Sequence, residues 1–208
     1  MSKKPHLDAA YDLKTPEESL KLYEAWADTY DESFAATLDY QTPRLIARAF
    51  VDHGGRGPVL DVGAGTGLVG QELAALGVSD IDATDISGEM LRVAKDKGVY
   101  RSLFTADITA RMEVGDNTYD GIICAGTFTL GHVGPEGFDE LIRIAAPGAL
   151  FAISINSAHW VNAGFAAKFE ALSGHIRDLS FAEIQFYGDK AAGDHANDTG
   201  KLALFRKA

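Results

Sequence analysis

From residue 58 onward, short apolar runs alternate with segments in which apolar residues recur at helical spacing. This alternation predicts parallel strands joined by crossover helices. Pro135 is expected to begin one of these helices, and Pro147 with Gly148 to end it. The predicted strands lie at 59–62, 81–84, 101–104, 119–125 and 149–155.

The C-terminal part has a different pattern. A helix is predicted over 160–172, and two β-like runs follow at 181–187 and 202–206. Strands joined in this way should form an antiparallel hairpin, and their polar connection, 188–200, is long enough to serve as a functional lid. We therefore expect an α/β fold with a doubly wound, seven-stranded, mostly parallel sheet and a C-terminal antiparallel hairpin.

The N-terminal segment predicts a helical arm. Thr15 can cap the first helix, Pro16 suits its first position, and Glu18 can complete a capping box. A second helix is predicted to begin at Thr42 and Pro43. With 208 residues and 46% hydrophobic content, we expect one domain over 1–208, in which 1–56 form the arm and cap and 57–208 form the core.

Charge and cysteine content narrow the classes of partner. The formal net charge is -11, and the basic residues are scattered, which opposes binding to nucleic acid because that needs clustered cations. The single cysteine, Cys124, excludes an intramolecular disulfide and any CxxC metal site, so we expect a reducing cytoplasm and no metal. No apolar run is long enough to span a membrane, so a soluble, cytoplasmic protein without membrane contact is expected.

The clearest chemical signal is the stretch VLDVGAGTG at 59–67, where a buried strand with an acidic residue runs into three alternating glycines before a helix. Glycine permits a sharp turn and lets a ligand lie against bare backbone. Asp61 favours a cationic ligand, since a pyrophosphate prefers a helix N-terminus without a nearby carboxylate. The spacing of Gly65, Gly67 and Gly70 also fits a dinucleotide fingerprint, but it would place the turn two residues late. A tight turn without ligand is the remaining alternative.

Asp85 ends the second predicted strand about twenty residues beyond the glycines, where an acidic residue usually receives ribose hydroxyls. Helix capping is its alternative role, although Ser87 is the better cap. Ile86 and Met90 follow at positions from which apolar atoms can flank an adenine, and core packing is an equal alternative for both.

The sequences VLDVGAGTG, ATDIS, TADI and YDGIIC occur in an order that resembles the motif set of class I S-adenosylmethionine (SAM)-dependent methyltransferases, over residues 60 to about 155. The arm sequence YEAWADTYD resembles the arm of small-molecule methyltransferases in this class. Together with TPEES and GTFTLGHV, it is similar to the Williams-Beuren syndrome chromosome region methyltransferase-like proteins. The resemblance implies a Rossmann-like methyltransferase fold that binds SAM and releases S-adenosylhomocysteine.

The resemblance also implies which residues surround the cofactor. Asp107 would accept a hydrogen bond from the adenine amino group, and Cys124 would face the methionine part. Trp26 and Tyr30 would close over the cofactor, with core packing as their alternative role. The complete set of expected cofactor contacts is Trp26, Tyr30, Asp61, Gly63, Ala64, Gly65, Gly67, Asp85, Ile86, Met90, Asp107, Ile108 and Cys124.

Methyl transfer from a sulfonium is an in-line displacement, to which an enzyme contributes chiefly by positioning and by excluding water. A catalytic base is optional. His132, in the loop after the fourth predicted strand, is the candidate base, with loop hydrogen bonding and substrate orientation as alternatives. His159 and Trp160 are candidates for the substrate side.

The fourth strand continues as Cys124-Ala125-Gly126-Thr127 and lacks the Asn/Asp-Pro-Pro-aromatic pattern of methyltransferases that act on nucleic-acid amino groups. The sequence therefore favours SAM-dependent methyl transfer to a small molecule. Three alternatives stay open: a SAM-binding module without methyl transfer, a transferase that uses a modified SAM such as an aminopropyl donor, and an NAD-dependent oxidoreductase.

Overall fold

The computed structural model describes residues 16–193 and 195–208, so the predicted cap at Thr15 lies outside the described residues. Its helices are α1 (Pro16–Trp26), α2 (Thr42–Asp52), α3 (Leu68–Ala75), α4 (Gly88–Asp96), α5 (Gly137–Ile144), α6 (Ser157–Ala163) and α7 (Phe165–Ala171). Its strands are β1 (Val59–Val62), β2 (Ile81–Asp85), β3 (Ser102–Thr105), β4 (Tyr119–Phe128), β5 (Ala145–Asn156), β6 (Ile176–Gln185) and β7 (Thr199–Lys207). Short 3-10 turns occupy Ala27–Thr29 and Leu172–Gly174, and Asp31–Ala36 form a π-helical segment.

The strands form one seven-stranded sheet in the order β3-β2-β1-β4-β5-β7-β6. The first five strands pair in parallel, and β7 runs antiparallel to both β5 and β6. The chain winds outward from β1 in both directions, so the strand order reverses between β1 and β4. The predicted doubly wound sheet with a C-terminal antiparallel hairpin is therefore confirmed, and the reversal marks the edge at which such sheets bind ligands.

Apolar side chains cover both faces of the sheet, as expected for parallel strands buried between helices. Leu60 and Val62 of β1 belong to one core cluster, while Val59 belongs to the cluster on the other face. Phe138 on α5 packs in the first cluster and Phe50 on α2 in the second. None of the helices within the described ranges combines the length and apolar character needed to cross a bilayer.

Two element boundaries differ from the prediction because of glycine and proline. The helix predicted over 160–172 is two helices, α6 and α7, since Gly164 between them has φ of 81°, which other residues rarely adopt. The helix expected to reach Pro147 ends at Ile144 instead, and β5 begins at once. Pro147 is tolerated there because the register with β4 shifts at that point, and a bulge removes the need for its N–H.

The sixth strand begins five residues earlier than the predicted run at 181–187. Most side chains of β6 are exposed because it is the edge strand, so the alternation of apolar and polar residues that predicts a strand is weak there. Phe186 and Tyr187 lie beyond its end and pack against Trp26 and Phe34 of the N-terminal arm. The last two residues of the run predicted at 181–187 therefore contact the arm instead of extending the strand.

The centre of the sheet offers a test of this packing. A Cβ at Gly121 on β4 would lie 2.4 Å from the Phe50 ring of α2, so Gly121→Ala is expected to reduce the free energy of unfolding by about 2 kcal/mol. Gly174→Ala is the control, because nothing lies within 4 Å of its added Cβ. Urea denaturation measures both, and equal stability of the two variants would contradict the packing described.

Candidate functional site

A cavity of about 220 Å³ opens at the carboxyl ends of β1, β2 and β4, beneath the N-terminal arm. Open α/β sheets bind ligands at this edge, where the strand order reverses. The wall combines the glycine turn after β1, the ends of β2 and β4, and aromatic side chains from the arm. The site is therefore assembled from segments far apart in sequence.

The glycine turn after β1 forms the floor of the cavity. Gly63 has φ of 61°, and a Cβ there would lie 1.9 Å from Oγ1 of Thr127, so the end of β4 approaches the bare backbone. Gly65 has φ of 55°, and nothing lies within 4 Å of the position of its Cβ. The first glycine is required by close packing, whereas the second exposes backbone toward open space.

The carboxylate of Asp85 is fixed to this turn. Its Oδ2 accepts a hydrogen bond from the N–H of Gly65 at 2.8 Å, and its Oδ1 accepts one from the N–H of Ser87 at 2.8 Å. Burial raises the pKa of Asp85, and these two N–H groups oppose that shift. Asp85 lines the cavity, and each oxygen of a carboxylate can accept more than one hydrogen bond. Because the Ser87 side chain caps α4, Asp85 is not needed as the cap.

One end of the cavity is suited to a flat ring. Ile86 is 42% exposed although it is a large apolar residue, and it lines the cavity together with Met90, which is buried. Asp107 lies at the same end, where its Oδ1 accepts hydrogen bonds from the N–H and hydroxyl of Thr109. Ile108 follows it and is buried in the wall.

The arm covers the cavity with packed aromatic rings. The ring centroids of Trp26 and Tyr30 are 5.2 Å apart, and those of Tyr30 and Phe34 are 4.8 Å apart. Trp26 is only 2% exposed, and its indole N–H donates to Oγ of Ser33 at 2.9 Å. These side chains pack in the arm's own core and also line the cavity.

Polar contacts hold the arm against the glycine turn. Oδ1 of Asp31 accepts from the hydroxyl of Thr66 at 2.5 Å, and Oδ2 accepts from Nζ of Lys97 at 2.5 Å. Arg92 on α4 forms an ion pair with Asp28. The Asp31 contacts are partly shielded from solvent, so they fix the arm more firmly than the exposed Arg92 pair does.

His132 lies in the cavity wall with both ring nitrogens in contact with hydrogen-bonding groups. Its Nδ1 is 2.9 Å from the carbonyl oxygen of Leu130, and its Nε2 is 3.1 Å from the hydroxyl of Tyr23 on α1. Burial is the main cause that lowers the pKa of His132, so the ring is neutral at pH 7. A carbonyl can only accept, so we assign the proton to Nδ1, which leaves Nε2 to accept from Tyr23.

Three expected cofactor contacts are placed outside the cavity wall. Asp61 is buried with its Oδ2 accepting from the hydroxyl of Tyr100 at 2.7 Å. Gly67 faces the same ring, since its Cβ would lie 2.9 Å from Tyr100. Cys124 is buried in the core because its side chain points into the sheet face. Asp61 and Gly67 therefore contact Tyr100 behind the turn, and their contact with a cofactor stays a prediction.

His159 and Trp160, predicted for the substrate side, are likewise not among the described residues that line the cavity. Nε2 of His159 is 2.9 Å from the carbonyl oxygen of Val133, so this side chain holds the loop after β4. Trp160 stacks on Phe165 and Phe169. Both belong to the packing of α6 and α7.

Several cavity residues were missed by the sequence reasoning. Tyr23 precedes Trp26 by three positions and Tyr30 by seven, so helical spacing alone would have placed it on the same face. Tyr40 and Tyr187 also line the cavity. No local signal marked them, because each reaches the site only through tertiary packing.

The buried Asp61 makes a testable contribution to stability. Burial raises its pKa from 3.8 to about 7, and the Tyr100 hydroxyl opposes the shift. Between these values the unfolded chain loses the proton while the folded protein keeps it, so stability falls as pH rises. Asp61→Asn removes this dependence. Between about pH 5 and about pH 8, the free energy of unfolding of the variant should therefore rise by roughly 3 kcal/mol relative to that of the original protein. Urea denaturation at both pH values measures the difference, and a pH-independent difference would contradict the burial of this carboxyl.

Residues 59–148 match the family described as a methyltransferase domain. The chain is 30% identical over 151 residues to methyltransferase-like protein 27 of Homo sapiens, a match that covers 70% of this chain and 61% of the relative. It is 29% identical over 190 residues to the ubiquinone/menaquinone biosynthesis C-methyltransferase UbiE of Burkholderia mallei (strain SAVP1), which covers 88% of this chain and 67% of that protein. The chain thus spans less than two thirds of the length of the human relative.

The fold has close counterparts among solved structures. The crystal structure of a TehB-like SAM-dependent methyltransferase from Corynebacterium glutamicum superposes with a TM-score of 0.63 at 21% sequence identity. The superposition covers 89% of this chain and 98% of that one. At this level of identity the similarity concerns the fold.

Proposed function

We propose that the chain, whose residues 59–148 match the family described as a methyltransferase domain, binds SAM in the cavity under its arm and transfers the methyl group to a small molecule. The observation that carries this proposal is the carboxylate of Asp85, held by two backbone N–H groups beside a glycine turn. Its remaining lone pairs suit two neighbouring ribose hydroxyls.

The rest of the wall fits the other parts of SAM. Ile86, Met90 and Ile108 provide apolar surfaces for the adenine, and Asp107 provides an acceptor for its amino group. Gly63, Ala64 and Gly65 leave backbone open beside the methionine part. Trp26 and Tyr30 present aromatic faces, which attract a positively charged group such as a sulfonium.

When bound, SAM supplies a methyl group on a positively charged sulfur. An electron pair of the acceptor attacks the methyl carbon, and the sulfur is the leaving group. The residues of this chain act on that reaction by position and by solvent exclusion. The glycine turn and Asp85 set where the nucleoside lies, while the aromatic arm covers the cavity and keeps water out. His132, on the loop after β4, is the candidate base for the acceptor.

The size of the cavity and the net charge of the chain support a small-molecule acceptor. The arm leaves a cavity of about 220 Å³ beneath it, which favours a small-molecule acceptor over a nucleic acid, as does the net charge of -11. The sequences YEAWADTYD and GTFTLGHV, which support membership among the Williams-Beuren syndrome chromosome region methyltransferase-like proteins, meet in the contact between Tyr23 and His132. We also infer that 1–208 form one domain, with 1–56 as arm and cap and 57–208 as core, and that the protein acts in the cytoplasm.

Isothermal titration calorimetry with S-adenosylhomocysteine tests the cofactor site. Asp85→Asn is expected to weaken binding by roughly 10- to 100-fold, because a charge-assisted acceptor for the ribose is lost. Asp120→Asn is the matched control, since Asp120 is exposed at the start of β4, far from the cavity. Thermal denaturation of both variants checks that the fold is kept. Equal affinity of the Asp85 and Asp120 variants would contradict the site.

Incubation of the protein with methyl-labelled SAM and a metabolite extract tests the transfer itself. The expected result is label in a compound of low molecular mass, and its identification would name the acceptor. Binding of SAM without labelling of any metabolite would instead indicate a module that binds the cofactor only. The same incubation with a labelled aminopropyl donor in place of SAM tests the modified-SAM alternative, which a labelled product in that assay alone would indicate.

A further inference from the structure

The side chain whose hydroxyl contacts Nε2 of His132 comes from the N-terminal arm. Tyr23 lies on α1, and its hydroxyl is 3.1 Å from Nε2 of His132. The two ring centroids are 5.5 Å apart, and both residues line the cavity. With Nδ1–H donating to the Leu130 carbonyl, the phenol of Tyr23 is the donor to Nε2. An acceptor molecule in the cavity therefore cannot reach Nε2 without displacing this phenol.

The phenol oxygen of Tyr23 has lone pairs in addition to the proton that it donates. Burial is the largest cause that raises the pKa of Tyr23, so the phenol keeps its proton at neutral pH. The oxygen can accept a hydrogen bond while its own proton is held by His132. This is the geometry of a two-step proton path.

The charges of the cavity restrict the acceptor. Among the described residues that line it, none is Lys or Arg, and the acidic side chains, Asp85 and Asp107, lie where the nucleoside is proposed to bind. A buried carboxylate or phosphate without a counter-ion is strongly disfavoured. The wall around Tyr23 consists largely of aromatic side chains, which suits an uncharged, mainly apolar molecule.

We propose that Tyr23 is the residue that contacts the methyl acceptor and passes its proton to His132, and that the acceptor is an uncharged molecule with a hydroxyl or amine group. This inference rests on the proposed methyl transfer. It assigns Tyr23 a catalytic role and makes His132 the group that receives the proton.

The step balances in atoms and charge. The acceptor's proton moves to the phenol oxygen of Tyr23, while the phenol's own proton moves to Nε2 of His132. The electron pair released on the acceptor forms the bond to the methyl carbon, and the electrons of the carbon–sulfur bond stay on sulfur. His132 ends the step with the positive charge that sulfur carried at the start, so the net charge of the cavity is unchanged.

Nitrogen NMR of the cofactor-free protein tests the hydrogen-bonded pair without any activity. The expected His132 ring carries its proton on Nδ1, and the Nε2 resonance shifts in Tyr23→Phe, which removes only the hydroxyl. Tyr119→Phe is the control: the Tyr119 hydroxyl donates to Oδ2 of Asp82 at 3.0 Å, and Tyr119 is not among the described residues that line the cavity. A proton on Nε2, or an equal shift in both variants, would overturn the assignment.

Transfer from labelled SAM tests the role of the pair. Tyr23→Phe is expected to reduce the turnover number by at least about 100-fold while the affinity for S-adenosylhomocysteine stays within about twofold. Unchanged turnover in Tyr23→Phe, or an equal loss in Tyr119→Phe, would overturn only the role of Tyr23. No labelled compound with the unaltered protein would contradict the proposed function as well.

Anion exchange of the labelled product tests the acceptor class separately. An uncharged or cationic acceptor gives a product that passes through the resin at neutral pH, as expected here. Retention of the labelled product would overturn the inference that the acceptor lacks an anionic group.

Discussion

The hydrogen bond from the Gly65 N–H to the carboxylate of Asp85 is the contact on which the site depends. It joins the turn after β1 to the end of β2, and it aims a carboxylate at the cavity beside open backbone. The turn can approach β4 only because Gly63 has no side chain, with Thr127 occupying the space that a Cβ would need. Local backbone geometry at two glycines thus determines where a nucleoside can lie.

The carboxyl of Asp61 is buried behind the turn, where its charged form is unfavourable. Asp61 has no exposed surface and is compensated mainly by the hydroxyl of Tyr100, whose ring also fills the space beside Gly67 and Gly70. The missing side chains of the glycines make room for the Tyr100 ring, and the hydroxyl of the same ring donates to Asp61.

Sequence reasoning was strongest where chemistry and local conformation coincide. The glycine turn, Asp85 and the parallel strands follow from residue types and spacing over short segments. It was weaker where tertiary contacts decide the outcome, as for the buried carboxyl of Asp61, whose hydrogen-bond partner Tyr100 lies 39 positions along the chain. It also failed at Gly164, where a single glycine divides the predicted helix into two. It failed at β6 as well, because exposure of this edge strand removes the alternation of apolar and polar residues that predicts a strand. The contact between Tyr23 and His132 joins residues 109 positions apart, which no local pattern specifies.

The position of the nucleoside can be decided by a single structure. A crystal structure of the complex with S-adenosylhomocysteine should show both ribose hydroxyls within about 3 Å of the Asp85 carboxylate, with the nucleoside under the aromatic arm. A nucleoside bound elsewhere, or an Asp85 carboxylate that makes no contact with the ribose, would contradict the proposed site.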